Sequence, residues 1–467
     1  MRRDPLELAG DGLFIDKISN RFGPAEVETF IKALSKNGGA GSRSLSSRAA
    51  ELIACHGADA TTVAAALLLQ PLRDGLFELD GIREEFGEAV ADTLDGLKTP
   101  FILSNESQPN DRGHTRALLG FLTKSPRKAL LLIALRLAEL EEAVDVYRSD
   151  LSRIAQETVE FYVPIANRLS LGELRRRLED MCFKILEPDE HEKLKHQVGP
   201  IQAEDDRCLE ILTKGVRRLL NKSGVAAEIQ ARTKSLHAIR RKMARTGRNL
   251  DAIMDRIGVR IIVASVPECY TVLGLLHTHF KPISGTFDDY IGLPKANGYQ
   301  SLHTCVYPVR EISHKPIEFQ IRTKLMHAEA EHGVAAHWLY KNGSAAADQE
   351  NDQAQWMAGL ARQHIEAEND EAFIELLHRQ VFQDHVVVFG NGGRIVRLGE
   401  NATVRDFLKI INVQVPEGGH VEVNGRIAAV SQSLRDGDSI EIVPTPRPIG
   451  GKAEGDGLAG HPWWIDA

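Results

Sequence analysis

The sequence predicts a multidomain chain of α and α+β class with three folded parts: an all-helical region, a mixed α/β domain and a small β-rich module. Three observations carry this. Over residues 45–186 the apolar residues recur at helical spacing. Over residues 186–340, β-branched runs alternate with helical stretches, the pattern of a mixed sheet covered by helices. Beyond residue 380, short strand-like runs surround a single helical stretch. A chain of 467 residues is also too long for one ordinary domain.

In chain order, Ala- and Leu-rich segments at 59–69, 129–143 and 154–169 build the helical region. Its longest apolar runs, 63–69 and 129–135, fall short of the roughly 18 residues a membrane span needs and fit buried helix segments. The β-branched runs 259–263, 302–309 and 317–321 read as strands, and 235–244 and 324–338 as helices. Residues 341–369, rich in Ala, Asn, Asp, Gln and Gly, read as a linker or partly helical spacer. Strands at 385–389, 394–397 and 439–443 flank a helix at 404–411. Pro and Gly dominate 444–467, where Trp463-Trp464 suggests an exposed tail or a small docking patch. The expected domains are 1–185 (helical), 186–345 (α/β), a linker 346–379, a β-rich module 380–445 and a tail 446–467.

The net charge of −8, from 57 basic and 65 acidic residues, exerts no global pull toward nucleic acid or anionic membrane, so a polyanion site must be a local cluster. The start Met-Arg-Arg, followed by an acidic, Gly-rich stretch, argues against secretion. Five scattered cysteines without C-x-x-C spacing exclude a zinc ribbon and suit reduced thiols in the cytoplasm.

The densest basic cluster spans 232–248 and holds Arg232, Lys234, Arg240, Arg241, Lys242, Arg245 and Arg248. It reads as a polyanion site or as a solvated helix face; no interleaved aromatics favour nucleic acid. Asp255 and Arg260 flank the entry to the strand at 259–263, and alternation puts Glu318, Gln320 and Arg322 on one face of the next strand. Two carboxylates with convergent cations suit Mg²⁺-assisted transfer from a nucleoside triphosphate, while polar alternation on a half-exposed strand accounts equally for the last three. The run 289–303 crowds turn formers around Lys295, Tyr299 and His303, as a ligand-binding loop or a tight turn would. His327, His332 and His337 step by five residues, about 140° on a helix; they share no face and are read as packing or hydrogen-bonding residues.

The strings Asp255-Arg-Ile-Gly-Val-Arg-Ile-Ile-Val263, Asp289-Tyr-Ile-Gly-Leu-Pro-Lys-Ala-Asn-Gly-Tyr-Gln-Ser-Leu-His-Thr304, Glu318-Phe-Gln-Ile-Arg-Thr-Lys324 and Gly333-Val-Ala-Ala-His-Trp338 resemble the synthetase domain of the RelA/SpoT-homologue family. The resemblance covers about 45–443. It implies a helical HD-type domain, a mixed-sheet, nucleotidyltransferase-like synthetase domain and a small β-grasp-like TGS module, with the family's later regions absent. The implied activity is transfer of the β,γ-diphosphate of ATP to the 3′-hydroxyl of GDP or GTP, giving (p)ppGpp and AMP with Mg²⁺ as cofactor. By position in the motifs, Arg232, Lys234, Lys242 and Arg260 are implied to hold ATP, and Asp255 and Glu318 to be catalytic and metal-binding. Lys295, Asn297, Tyr299, Gln300 and His303 are implied to form the GDP/GTP pocket, with Tyr299 stacking on guanine.

Departures from the family pattern shape the expectation further. Where its hydrolase holds a metal through a His, a His-Asp pair and a later Asp, this chain has Leu45, Leu69-Gln70 and Leu135; of the hydrolytic Glu-Asp pair only Asp74 remains, beside Arg73. Apolar side chains cannot ligate a hard cation, so the hydrolase is expected to be inactive. Thr286-Phe-Asp-Asp289 matches the family's synthesis-only branch at Asp288, which by analogy implies a preference for GDP, although Thr286 follows neither branch. Ala238 replaces a hydroxyl of the ATP motif. Val423-Asn-Gly-Arg-Ile427 and residues 434–441 resemble TGS, but Val415-Pro-Glu-Gly-Gly-His420 lacks a clear match to the family's tRNA-contacting His. Contact with ribosome or tRNA and self-association stay open, and no membrane partner is expected. Two other readings stay open as well: a catalytically silent nucleotide-binding regulator, and diphosphate transfer to an adenine nucleotide or tRNA.

Overall fold

The computed structural model describes residues 15–16, 18, 21–36, 44–97, 125–143, 150–246, 250, 257–295, 297–309, 315–333, 359–360, 363, 370–382, 385–390, 394–399, 402–413, 415, 419–435 and 438–443. The chain divides into two compact units, Met1–Phe382 and Gln383–Ala467.

The first unit opens with helices α1 (Pro24–Ser35), α2 (Leu45–Cys55), α3 (Ala60–Arg73), α4 (Leu79–Phe86), α5 (Glu88–Leu94) and α6 (Pro126–Ala143). Side chains at two of the starts explain where these helices begin: Ser44 Oγ accepts from Ser47 N, and Asp59 Oδ1 from Thr62 N. The two long apolar runs lie within α3 and α6 and are buried throughout, as their composition demands. Helices α7 (Leu151–Glu157) and α8 (Val163–Arg168) are joined by a π-helical turn at Thr158–Tyr162, and α9 (Gly172–Leu186) follows. Arg136 of α6, nearly buried, donates to Glu157 (2.7 Å) and to the Tyr162 hydroxyl (3.1 Å), which ties that turn to the core.

A 35-residue helix, α10 (Pro188–Lys222), leads into the sheet domain. Pro188 at its start and Asp189 and Glu190 in its first turn suit the helix dipole, and Gly224, at φ 72°, follows its end. The sheet holds β1 (Glu228–Thr233), β2 (Ile257–Val263), β3 (Asp288–Asp289), β4 (Leu302–Val306) and β5 (Ile317–Thr323) in the order β1-β2-β5-β4-β3. Only β2 and β5 run parallel. Helix α11 (Leu236–Thr246) follows β1, α12 (Val266–His279) follows β2, and α13 (Lys324–His332) follows β5. One sheet face carries Val259, Ile261, Val263, Leu302, Val306, Phe319 and Ile321. It packs on Leu212 and Val216 of α10 and Val272 and Leu276 of α12. Burying each such side chain contributes on the order of 1.5–3 kcal/mol, which fixes the sheet's handed face and leaves the alternate residues for chemistry.

Helix α14 (Asp370–Phe382) closes the unit. The spacer expected over 346–379 is therefore helical at its end, and Phe373 and Leu377 are fully buried in the N-terminal helical core. Apolar burial thus assigns this segment to the first unit, and the break falls after Phe382.

The second unit pairs β6 (His385–Gly390) with β7 (Arg394–Gly399). After α15 (Val404–Ile411) comes a second sheet, β8 (His420–Val423), β9 (Arg426–Ala428) and β10 (Ile440–Val443), in the order β10-β8-β9. Asn424 and Gly425, both at positive φ, make the two-residue turn between β8 and β9. Val388, Val396, Phe407, Val421, Leu434 and Ile440 form its core. Among the described residues no helix is long and apolar enough to cross a membrane.

Candidate active site

Strand register builds the site. Gln230, Arg260, Gln320, His303 and Asp288 stand directly opposite one another in turn across β1, β2, β5, β4 and β3. Residues in register project to the same side, so a single polar row crosses the whole sheet on the face away from α10 and α12. One step along, Glu318 lies in register with Gly258 and Cys305, and Gly258 with Arg232 of β1.

Glu318 is held from two directions. Gln320 Nε2 donates to Oε2 at 3.2 Å, and His303 Nδ1 lies 3.5 Å from Oε1. The other ring nitrogen of His303 shares a 2.8 Å hydrogen bond with the Tyr299 hydroxyl. Tyr290 completes an aromatic cluster, its ring centroid 5.3 Å from that of His303 and 6.2 Å from that of Tyr299, and Lys295 Nζ sits 4.5 Å above it. The loop keeps its shape through local bonds: Gly298 N donates to Lys295 O and Lys295 N to Tyr299 O. Gln300 Nε2 donates to Ile291 O at 3.2 Å. Asn297 ties the loop to the helical region: its Oδ1 accepts from Tyr299 N (3.2 Å) within the loop, while Nδ2 donates to Asn167 O (3.2 Å) and its backbone carbonyl accepts from Ser170 Oγ (2.7 Å). Asp289 accepts from Tyr270 and from the backbone of Ile291 and Gly292, a role the sequence reading did not foresee.

On the β1–β2 side, Arg260 is only 6% exposed; it donates to Gln230 Oε1 (3.2 Å) and pairs with Glu331 of α13 (2.9 Å). Lys234 follows β1 and Lys242 lies on α11, both half-buried. The basic cluster thus divides between a strand and a helix. Arg240 of α11 pairs with Glu187 (2.5 Å), and Arg241 with Glu179 (3.6 Å). Asp255 and Arg248 lie outside the described residues, as do the side chains of Arg232 and Arg245.

Glu331 is the residue that sequence reasoning missed. Its buried carboxylate meets three guanidiniums: Arg176 at 2.7 Å, Arg260 at 2.9 Å and Arg322 at 2.9 Å. Burial opposes its ionisation, but those three cations hold it well below the usual carboxylate range. Arg322 also donates to His327 Nδ1 (2.6 Å), and His332 packs edge-on against His56 with ring centroids 5.8 Å apart. His327 therefore serves hydrogen bonding and His332 packing, and burial pushes each down to about 4. His337 lies outside the described residues.

Among the described residues no group of three His, Cys, Asp or Glu side chains could by itself hold a metal. Mg²⁺ in phosphoryl-transfer sites takes one or two carboxylates and completes its shell with water and phosphate oxygens, a requirement that Glu318 fits in part.

Fold and site define a multidomain protein with a helical HD-type part, a mixed-sheet synthetase-type part and a small β-grasp-like module. The family model "Region found in RelA / SpoT proteins" matches residues 231–345, an HD domain matches 27–172, and the ThiS family matches 381–448. The chain belongs to the RelA/SpoT-homologue family. It is 37% identical over 394 residues to a guanosine-3′,5′-bis(diphosphate) 3′-pyrophosphohydrolase of Aquifex aeolicus, covering 84% of this chain and 55% of that protein. It is 34% identical over 415 residues to the GTP pyrophosphokinase of Escherichia coli K12, covering 85% and 55%. The chain thus spans about half the length of the curated relatives it matches. Among solved structures it is similar to the small alarmone synthetase 1 of Bacillus subtilis bound to its product pppGpp. The identity is 22%, over 37% of this chain and 96% of that one, and the TM-score is 0.27.

Proposed function

We propose that the chain is a cytoplasmic alarmone synthetase that transfers the β,γ-diphosphate of ATP to the 3′-hydroxyl of GDP or GTP and has no opposing hydrolase activity. The observation that carries this is the polar chain from Tyr299 through His303 to Glu318, on an otherwise apolar-backed sheet. Glu318 accepts the proton of the 3′-hydroxyl while that oxygen attacks the β-phosphorus, and the bond to the bridging α,β-oxygen breaks to release AMP. Tyr299 offers its ring to the guanine, and Lys295 and His303 stand beside it for the acceptor's phosphates and sugar. Arg260, Lys234 and Lys242, with Arg232, hold the phosphates of ATP. A bound Mg²⁺, held by Glu318 and Asp255, would neutralise phosphate oxygens during transfer.

The loss of hydrolysis rests on the helical core. Leu69 and Leu135, at positions the family resemblance aligns with metal ligands, are 1% and 4% exposed and continuous with the apolar core; Leu45 packs against it. Gln70 donates to Asp74 Oδ1 at 2.8 Å, so the surviving acid is already engaged within the helix turn.

The test is a turnover assay with purified protein, Mg²⁺ and labelled ATP, with GDP, GTP, AMP or deacylated tRNA offered in parallel. Labelled (p)ppGpp with matching AMP is expected; transfer only to AMP or tRNA, or to none, refutes the reading. The same preparation given ppGpp and Mn²⁺ should release no diphosphate, and release would refute the hydrolase half alone.

A further inference from the structure

The loop that carries Tyr299 is anchored in the helical region. Asn297 Nδ2 donates to the Asn167 carbonyl and the Asn297 carbonyl accepts from Ser170 Oγ, so two bonds clasp one loop residue to the turn between α8 and α9, more than 120 positions away in the chain. From Asn297 the hold passes on to the backbone of Tyr299, whose N–H donates to Asn297 Oδ1.

Helix chemistry explains why this turn serves as an anchor. At the end of α8, Leu171 N donates to Ala166 O (2.9 Å) and Ser170 N to Asn167 O (3.1 Å), the paired bonds of a Schellman end, with Ser170 in the left-handed region at φ 56°. Carbonyls in the last turn of a helix lack intrahelical partners and carry partial negative charge, so that of Asn167 readily accepts the Asn297 amide. The turn is itself held on several sides. Leu169 is fully buried, and Asn167 Nδ2 donates to Val381 O of α14 at 3.3 Å. A Cβ at Gly333, where φ is +54°, would fall on the Leu169 carbonyl, and one at Gly172, the first residue of α9, would strike the Ala330 carbonyl. The start of α9 and the end of α13 therefore meet backbone to backbone.

Glycine is the usual residue at a left-handed helix end, because a Cβ is strained there. A serine gives up that ease, and what it adds is the hydroxyl that holds Asn297. We infer that Ser170 is a positioning residue for the acceptor nucleotide: from the helical region it fixes the loop in the conformation that presents Tyr299, a role that rests on the assignment of Tyr299 to guanine made above. Without the hydroxyl the loop visits other conformations, and GDP binds more weakly in proportion to the fraction of loops out of place. Binding restores the loop, and His303 and Glu318 are held by β4 and β5, so the chemical step keeps its rate. The β1–β2 side, assigned to ATP, is untouched.

Ser170→Gly separates this role from a structural one: it removes the hydroxyl and relieves the left-handed strain together, so its two effects on stability oppose each other. Ser170→Ala removes the hydroxyl and keeps the Cβ. Thermal melting, Kd for GDP and for ATP by calorimetry, and kcat would be measured for each. Ser170→Gly is expected to melt close to the unaltered protein while binding GDP about fivefold more weakly, the scale of one hydrogen bond, with Kd for ATP and kcat within about twofold. Ser170→Ala should weaken GDP to the same extent. Unchanged affinity for GDP in both variants overturns the inference, as does an equal loss for both nucleotides, which marks general loosening. Should the unaltered protein bind no GDP, the functional reading and the inference fail together; a protein that binds GDP and makes alarmone but is indifferent to both substitutions refutes the inference alone.

Discussion

Tyr299 and His303 share a 2.8 Å hydrogen bond, and through the far nitrogen of that imidazole the tyrosine hydroxyl is connected to the Glu318 carboxylate. The ring proposed to stack on the acceptor base is thus separated by one residue, His303, from the group proposed to deprotonate the acceptor sugar. The hydroxyl and the ring have separable roles. Tyr299→Phe keeps the ring and should leave KM for GDP within about twofold while lowering kcat about fivefold, the worth of one hydrogen bond near 1 kcal/mol. Tyr299→Ala should instead raise KM for GDP. Equal effects of the two substitutions on KM would contradict this division.

Glu318→Gln preserves the size of the side chain and its ability to accept from Gln320, but removes the base. Turnover should fall by roughly 10²–10⁴, the usual contribution of a positioned general base. Binding of GDP, followed by calorimetry, should persist. Retained turnover would move the base to another residue.

Gly333 tests the seam between α9 and α13 by stability. Its positive φ and the Leu169 carbonyl both forbid a side chain. Gly333→Ala should destabilise the first unit by more than about 1 kcal/mol, because strain and the backbone clash add. Chemical denaturation would read it directly, and an unchanged midpoint would show the seam to be pliable.

Stability should also fall on acidification, in two stages. His327, depressed by burial and by Arg322, and His332, depressed by burial and by His56, stay neutral in the folded chain down to about 4. The unfolded chain takes up those protons from about pH 6.5, so the stabilisation is complete above that value and drains away between about 6.5 and 4. Glu331, held low by its three arginines, adds a further loss once the pH drops below the ordinary carboxylate range near 4. Thermal melts from pH 7.5 downward should therefore decline from about pH 6.5, well before ordinary carboxylates titrate; a plateau down to pH 4.5 would contradict the histidine stage.

Much of this architecture was legible from pattern. The apolar runs at 63–69 and 129–135 are buried helix, and strand alternation correctly put Glu318, Gln320 and Arg322 on one face. Strand β1 escaped notice because Glu-Ile-Gln-Ala-Arg-Thr offers little strong β-former, and pairing with β2 holds it in place. The long helix α10 escaped as well, since its buried stripe of Leu194, Val198, Leu212, Val216 and Leu220 is thinned by charged residues.

By itself the sequence determined the periodicities, and with them the helical part, the strands that carry Arg260 and Glu318, and the loop around Tyr299. These are local properties: a side chain's face within a strand follows from its neighbours two residues away. Only the tertiary structure decided the register that lines Gln230, Arg260, Gln320, His303 and Asp288 into one row, and the meeting of Arg176 with Glu331, 155 positions apart in the chain. Register and long-range ion pairing depend on how apolar faces pack across the whole unit, a free energy that no local pattern contains.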